Sequence, residues 1–249
     1  VPQAAIVARF PQAQGVFDQL NAASEMMVLP MPAWEATVMA ADTVLGTASA
    51  PNVVGILEGT DPTLKHEYVV FSAHMDHVGI SPGKPDSINN GADDDGSGTV
   101  GILELAEAFT RKRAATRRSL IFLTVSGEEK GLWGSAYFTA HPPVPMDQVV
   151  ANLNMDMIGR NWPDTVETIG MTFSSLGPTL DSVAAAHRDL GMTPVNDLAP
   201  EERRLFRSDH YNFARAGVPI LYFTSGHHPD YHEPSDSPDA SAVVTPSPT

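Results

Sequence analysis

Runs of apolar residues separated by short polar segments dominate residues 52–223. Five of these runs have the length of strands and lie at 53–59, 67–73, 119–125, 149–156 and 218–223. Most of them contain few polar residues, which is typical of strands that are buried on both faces of a sheet. We therefore expect both faces of the sheet to be covered by other elements, with neither face exposed to solvent.

Segments with apolar residues at helical spacing lie between these strands, at about 97–113, 132–139, 179–190 and 209–216. In the first segment, Val100, Leu103 and Ala106 recur at the helical spacing, and Arg111 near its end suits the helix dipole. Because strands and helices alternate, we predict an α/β fold. It would be a single domain with a mixed, mostly parallel central sheet and helices on both faces.

The two ends of the chain are weakly patterned. Prolines interrupt short Ala-rich pieces in residues 1–50, which we predict to be an irregular N-terminal arm. Residues 51–238 would form the folded domain that carries any site. The Ser-, Pro- and Ala-rich residues 239–249 would form a flexible tail.

Composition narrows the possible partners and ligands. The chain has 249 residues, with 15 basic and 30 acidic side chains and a formal charge of -15, so it lacks the basic surface that nucleic acid requires. It has no cysteine, so any metal must bind His, Asp or Glu. No apolar run approaches the roughly 20 residues of a membrane span. Residues from Val1 onward do not resemble a signal peptide, yet we expect a secreted or periplasmic location.

Three consecutive aspartates, Asp93 to Asp95, stand between glycines in the loop that follows the second predicted strand. The run could be a solvated acidic turn, because Asp and Gly are common turn formers. Other candidate ligands are placed mostly at or just beyond predicted strand ends: His74, Asp76, Glu128, Glu129, Asp156 and His232. Strand carboxyl ends converge on one edge of an open α/β sheet. These groups would therefore meet there.

Two His and three carboxylates are suited to a pair of divalent cations. Three ionised carboxylates and two divalent cations leave the cluster at about +1, and a bridging hydroxide brings it to about zero. Without the cations the crowded carboxylates would repel one another, and at least one would take up a proton. Imidazole ligands favour zinc over magnesium, although Mn²⁺ or Co²⁺ could substitute.

The order and spacing of six short motifs resemble peptidase family M28, a family of two-zinc aminopeptidases and carboxypeptidases. The matching residues are Ala73-His74-Met75-Asp76-His77, Gly91-Ala92-Asp93-Asp94-Asp95-Gly96-Ser97-Gly98, Gly127-Glu128-Glu129, Asn154-Met155-Asp156-Met157-Ile158-Gly159, Ser208-Asp209-His210 and Tyr231-His232 with Asp236. The resemblance extends over roughly residues 52–236.

This resemblance implies a set of zinc ligands. His74 and Asp156 would hold one zinc ion, Glu129 and His232 would hold the other, and Asp94 would bridge them. The neighbouring Asp93 and Asp95 would shape the loop by accepting backbone hydrogen bonds. His77, His227 and His228 lie near these motifs but are surplus to the ligand number.

The resemblance also implies catalytic roles. Glu128 would be the general base for a metal-bridging water. Asp76 and Asp236 would orient His74 and His232. Tyr231 would stabilise the oxyanion of the tetrahedral intermediate, or it could simply pack. The segment 208–210 would be a loop near the substrate pocket rather than a nucleophilic triad, because consecutive residues cannot readily form one.

The function implied is a two-zinc exopeptidase acting on peptides, and an aminopeptidase is favoured because an acidic edge would pair with a free α-amino group. A carboxypeptidase is the alternative, with a free carboxylate held by one of Arg160, Arg203, Arg204 and Arg207. A single-zinc glutaminyl cyclase and a non-catalytic binding module are further alternatives. The complete ligand set argues against both.

Overall fold

The computed structural model describes residues 3–22, 43, 46–83, 85–112 and 116–239. The chain divides into two compact units, residues 1–48 and 49–249. In the first unit, α1 (Gln3–Arg9) and α2 (Ala13–Ala22) are helices, where we predicted an irregular arm. Their Ala and Gln residues favour helix, and Pro11 lies in the turn between them. The predicted tail, apart from Asp239, lies outside the described residues.

The second unit is built on a seven-stranded sheet with the order β1-β3-β2-β4-β7-β5-β6. The strands are β1 (Val53–Leu57), β2 (Tyr68–His74), β3 (Ser119–Val125), β4 (Val149–Met155), β5 (Thr165–Ile169), β6 (Thr193–Val195) and β7 (Ile220–Thr224). The pairings β1–β3 and β5–β7 are antiparallel, and the other pairings are parallel. The predicted fold class, with a mixed and mostly parallel sheet, is confirmed.

Helices cover both faces of this sheet. The second unit contains α3 (Gly98–Arg111), α4 (Trp133–Ala140), α5 (Leu176–Ala186) and α6 (His210–Arg215). Phe71 of β2 belongs to a core cluster that includes Ile102 of α3. The preceding residue, Val70, belongs to the cluster that includes Phe138 of α4 and Phe213 of α6. Because successive strand residues point to opposite faces, α3 lies on one face, and α4 and α6 lie on the other.

Three details of the fold differ from our predictions. The first strand is an edge strand with exposed side chains, including Val53 at 57%, so its apolar run does not mean burial on both faces. In α3, Ile102 is 2% exposed whereas Val100 is 56% and Leu103 is 62% exposed. The buried face is therefore rotated from the one that we predicted. The short strands β5 and β6 were missed, because Glu167 and Pro194 interrupt their apolar patterns.

The topology brings four strand ends together. The neighbouring strands β3, β2, β4 and β7 are parallel, so their carboxyl ends lie at one edge of the sheet. The segments that leave these strands carry the predicted ligands. None of the helices in the described residues is long and apolar enough to cross a membrane.

Candidate metal centre

Two of the predicted ligands are placed directly by the central strands. His74 is the last residue of β2 and is 1% exposed, and Asp156 follows the last residue of the adjacent strand β4 and is 6% exposed. Because β2 and β4 are parallel neighbours, the two side chains come together. The distance from His74 Nε2 to Asp156 Oδ1 is 3.6 Å.

The carboxylate of Asp94 lies between two histidines. Its Oδ1 is 3.1 Å from Nε2 of His74, and its Oδ2 is 3.1 Å from Nε2 of His232. The same His232 nitrogen is 3.1 Å from Oε2 of Glu129. One carboxylate therefore connects a His74–Asp156 half to a His232–Glu129 half, as a bridging ligand would.

The aspartates on either side of Asp94 are occupied by backbone amides, which confirms our prediction that they shape the loop. Asp93 Oδ1 accepts a hydrogen bond from the backbone N–H of Gly159 at 2.6 Å. Asp95 accepts hydrogen bonds from the backbone N–H groups of His74, Gly98 and Met157. These bonds leave Asp94 as the residue of the run whose carboxylate points between the histidines.

Two predicted orienting residues act differently from our expectation. The carboxylate of Asp236 accepts hydrogen bonds from the backbone N–H groups of Asp93 and Asp94, so it supports the acidic loop rather than His232. His74 Nδ1 lies 3.0 Å from the backbone carbonyl oxygen of Asp76 but 3.8 Å from its carboxylate. That carboxylate instead accepts a hydrogen bond from the backbone N–H of Glu128 at 3.2 Å. Asp76 thus contacts both His74 and the segment that carries the predicted base.

The electrostatics of the metal-free cluster favour protonated histidines. Burial opposes the charge on His74, but the carboxylates of Asp95 and Asp156 raise its pKa well above the usual value. Contacts with Asp94 and then Glu129 raise the pKa of His232 to about 9. Protons therefore neutralise part of the carboxylate charge when no cation is present. A bound cation would replace them.

Glu128 lies in the same pocket but is not among the residues in contact with His74 or His232. Burial, and then the charge of Asp156, raises the pKa of Glu128 to about 9. Tyr231 stacks on His232 with ring centroids 3.8 Å apart, and burial raises the pKa of its hydroxyl. Both side chains line the pocket, where a substrate could reach them.

The donor set fits two divalent cations. Zinc–ligand distances of about 2.0–2.1 Å at tetrahedral angles separate neighbouring ligand atoms by about 3.3 Å. The contacts of His74 and His232 with the carboxylates span 3.1–3.6 Å. In addition, His232 Nε2 and Glu129 Oε1 are buried without a hydrogen-bond partner. Buried polar atoms require a partner, and a cation would supply it.

The pocket is also lined by residues outside the predicted ligands and catalytic residues. Its lining includes Arg204, Arg207, Tyr222 and His227. Arg204 is buried and pairs with Glu167, with Nη1 2.5 Å from Oε2. No sequence signal pointed to this pair, because Glu167 lies on a strand that the pattern did not reveal. Of the four arginines considered for a carboxylate, Arg204 and Arg207 line the pocket.

The segment 208–210 is buried and directly follows Arg207, which lines the pocket. Ser208, Asp209 and His210 are each 0% exposed at the start of α6. Ser208 Oγ accepts a hydrogen bond from Asn154 Nδ2 at 2.9 Å, which joins α6 to β4 beneath the cluster. Ser208 and Asp209 form a bend and a turn before α6, and the charges of His74 and Asp156 act on Asp209, so the segment lies near the pocket as predicted. The rejection of a nucleophilic triad agrees with this geometry.

Comparisons with known proteins agree with the geometry. The family described as peptidase family M28 matches residues 52–245. The aminopeptidase YwaD of Bacillus subtilis is 28% identical over 198 residues, covering 76% of this chain and 40% of its own length. Leupeptin-inactivating enzyme 1 of Streptomyces exfoliatus is 28% identical and covers 72% of this chain and 36% of its own length.

A solved structure supports the same relationship. BSAP, a zinc aminopeptidase from Bacillus subtilis, aligns with a TM-score of 0.58 at 26% identity, covering 75% of this chain and 44% of its own. The chain therefore spans less than half the length of each of these relatives.

Proposed function

The chain belongs to peptidase family M28, and on that premise we propose that it carries the catalytic centre of a two-zinc aminopeptidase. One zinc ion would bind to His74 and Asp156, and the other to Glu129 and His232. Asp94 would bridge the two. The observation that carries the proposal is the position of the Asp94 carboxylate, with one oxygen 3.1 Å from each histidine.

When bound, two zinc ions would polarise the scissile carbonyl and lower the pKa of the attacking water towards about 7. The chain itself would move the protons. Glu128, half-buried in the pocket, would take a proton from the water and deliver it to the leaving amine. Its backbone N–H donates a hydrogen bond to Asp76, which fixes the segment that carries the base. The hydroxyl of Tyr231 would keep its proton and donate a hydrogen bond to the developing oxyanion.

A carboxypeptidase is the second candidate, and one observation favours it. Arg207 lines the pocket, and the structure shows no ion pair for it among the described residues, whereas Arg204 is paired with Glu167 and Glu202. An unpaired guanidinium there would suit a free carboxylate. Comparing amino-acid anilides with dipeptides blocked at either end would decide between the two. An aminopeptidase accepts a blocked C-terminus, and a carboxypeptidase accepts a blocked N-terminus.

The decisive experiment measures zinc content and turnover together in the wild type and in Glu128→Gln. We expect about two zinc ions per chain in both, with turnover reduced by about 10²–10⁴-fold in the variant. Glu104→Gln changes an exposed glutamate of α3 and serves as the control, with unchanged turnover. Normal turnover in Glu128→Gln would refute the base. Absence of zinc in carefully loaded wild-type protein would refute the centre and favour a non-catalytic binding module.

Several finer points stay predictions. They are the secreted or periplasmic location, the possible substitution of zinc by Mn²⁺ or Co²⁺, and the domain limits at 51–238. A glutaminyl cyclase remains the less favoured alternative, because the bridging position of Asp94 provides for two cations rather than one. Zinc stoichiometry tests this alternative directly.

A further inference from the structure

We propose that His77 is an additional ligand of the cation position formed by Glu129 and His232, so that the two cation positions differ in coordination. The inference rests on the proposed two-zinc function and deepens it. His77 lies just beyond β2, three residues after His74. Counting ligands along the sequence made it surplus, but the structure places it in the centre.

The distances around His77 match those of a ligand. Its Nδ1 is 2.9 Å from Glu129 Oε1 and 3.8 Å from Asp94 Oδ2. These values bracket the separation of about 3.3 Å expected for neighbouring atoms around tetrahedral zinc. The ring lies edge-on to that of His232, with centroids 5.5 Å apart and an interplanar angle of 75°. Four atoms lie close enough together for one ion to contact all of them. They are one nitrogen of His77, one nitrogen of His232 and one oxygen each of Asp94 and Glu129.

The contact between His77 and Glu129 is not an ordinary hydrogen bond. Although their atoms approach to 2.9 Å, Nδ1 of His77 and Oε1 of Glu129 are both buried without a hydrogen-bond partner. The same is true of Nε2 of His232, which is a ligand in the proposed function. The two atoms are close together, but their orientation does not suit a hydrogen bond. Ligands of one ion have this arrangement, because each of them points at the ion and not at the other ligand.

The ring of His77 is held in place by the acidic loop. A Cβ at Gly91 would lie 2.7 Å from Cγ of His77, and Gly91 has a φ of 63°. Glycine at this position allows the loop to approach the ring and adopts a backbone conformation that other residues rarely adopt. The side chain of His77 is 10% exposed, so the ring has little freedom to leave.

The consequence is an unequal pair of positions. The second position would have four protein ligands, namely His77, Asp94, Glu129 and His232. The first would have three, namely His74, Asp156 and Asp94, because Asp95 already accepts hydrogen bonds from backbone amides. Four protein ligands are typical of closed zinc sites, whereas three leave a place open for water or substrate. The second position should therefore bind zinc more tightly, and the first should be the open one.

The test is a zinc titration of the metal-free full chain against a chromophoric chelator, with wild type, His77→Ala and His66→Ala. We expect two unequal steps in the wild type. In His77→Ala the tighter step should weaken by at least about 10–100-fold, with two zinc ions still bound at saturation. His66 is exposed, so its replacement should leave both steps unchanged.

A second measurement uses cobalt as a spectroscopic probe of coordination. Loading the wild type with one equivalent of Co²⁺ should give the intense visible absorption of four-coordinate cobalt, and His77→Ala should weaken it because one ligand is lost. Weak absorption typical of higher coordination, or a His77→Ala titration identical to that of the wild type, would overturn the role of His77 and leave the two-zinc function standing. A wild type that binds no zinc would instead refute the proposed function.

Discussion

The carboxylate of Asp236 accepts a hydrogen bond from the backbone N–H of Asp94 at 3.1 Å, across 142 positions of sequence. It accepts two further contacts from the N–H of Asp93, at 3.0 and 3.1 Å. Asp236 is fully buried and follows His232 by four residues. It therefore connects the loop of the last predicted ligand to the loop of the bridging carboxylate.

Replacing Asp236 with Ala should loosen this connection. The buried amides of Asp93 and Asp94 would lose their acceptor, which costs about 1–3 kcal/mol for each buried unpaired group. We expect a lower free energy of unfolding and weaker zinc binding, measured by chemical denaturation and by chelator competition. Asp239→Ala changes an exposed aspartate nearby and should change neither. Wild-type stability in the Asp236 variant would show that other groups hold the loop.

Removing the bridging carboxylate should affect both cations. In Asp94→Ala, both halves lose a ligand, so zinc content measured by atomic emission should fall towards zero at concentrations that saturate the wild type. Glu129→Ala should reduce it by about one ion, since only the second position uses Glu129. Asp181, exposed on α5, provides the control substitution. If Asp94→Ala loses one ion only, Asp94 is not the bridge.

Zinc binding should release protons. In the metal-free protein at neutral pH, His232 and Glu128, each with a pKa of about 9, carry protons, and neighbouring carboxylates raise the pKa of His74 so that it is protonated as well. Ligating histidines must be neutral, and nearby cations lower the pKa of a carboxyl group.

Titration calorimetry at pH 7.5 in two buffers of different ionisation enthalpy should therefore show release of about three protons per chain. The apparent affinity for zinc should rise with pH, and the rise should become less steep near pH 9, where His232 and Glu128 lose their protons in the absence of zinc. In Glu128→Gln about one proton fewer should be released. Equal release from the variant and the wild type would mean that Glu128 is already ionised.

The ion pair of Glu167 and Arg204 should position one wall of the pocket. Glu167 is 0% exposed and also accepts a hydrogen bond from the backbone N–H of Leu198 at 2.8 Å. Glu167→Ala should lower the free energy of unfolding by about 3 kcal/mol, because it leaves a buried guanidinium with one partner fewer.

Since Arg204 lines the pocket, we also expect KM to rise several-fold in Glu167→Ala with a smaller change in kcat. Steady-state kinetics on an accepted substrate would measure both. Glu201→Ala removes an exposed charge from the same segment and should change neither constant. A fall in kcat alone would indicate that the pair acts on the catalytic groups rather than on the pocket wall.

The local pattern of apolar residues was enough to predict the central strands. It did not predict how deeply each strand is buried, because burial depends on the neighbouring elements. The run 119–125 was predicted with the observed bounds of β3, because a strand with neighbours on both sides and helices on both faces has to be apolar throughout. The run at β1 is also apolar but lies at the sheet edge. Edge position is set by pairing with β3 alone, and no local pattern encodes it.

The sequence by itself determined the α/β class and the residue types that gather at the ends of the strands, because the strand period and the chemistry of His and carboxylate ligands are local properties. Through the resemblance to a family, it also predicted Asp94 as the bridging residue of its run. Only the tertiary structure decided what each group contacts. Asp236 contacts the acidic loop, Asp76 contacts both His74 and Glu128, and His77 lies 2.9 Å from Glu129. Such contacts join residues that are distant in sequence, and their geometry exists only once the loops have packed against each other.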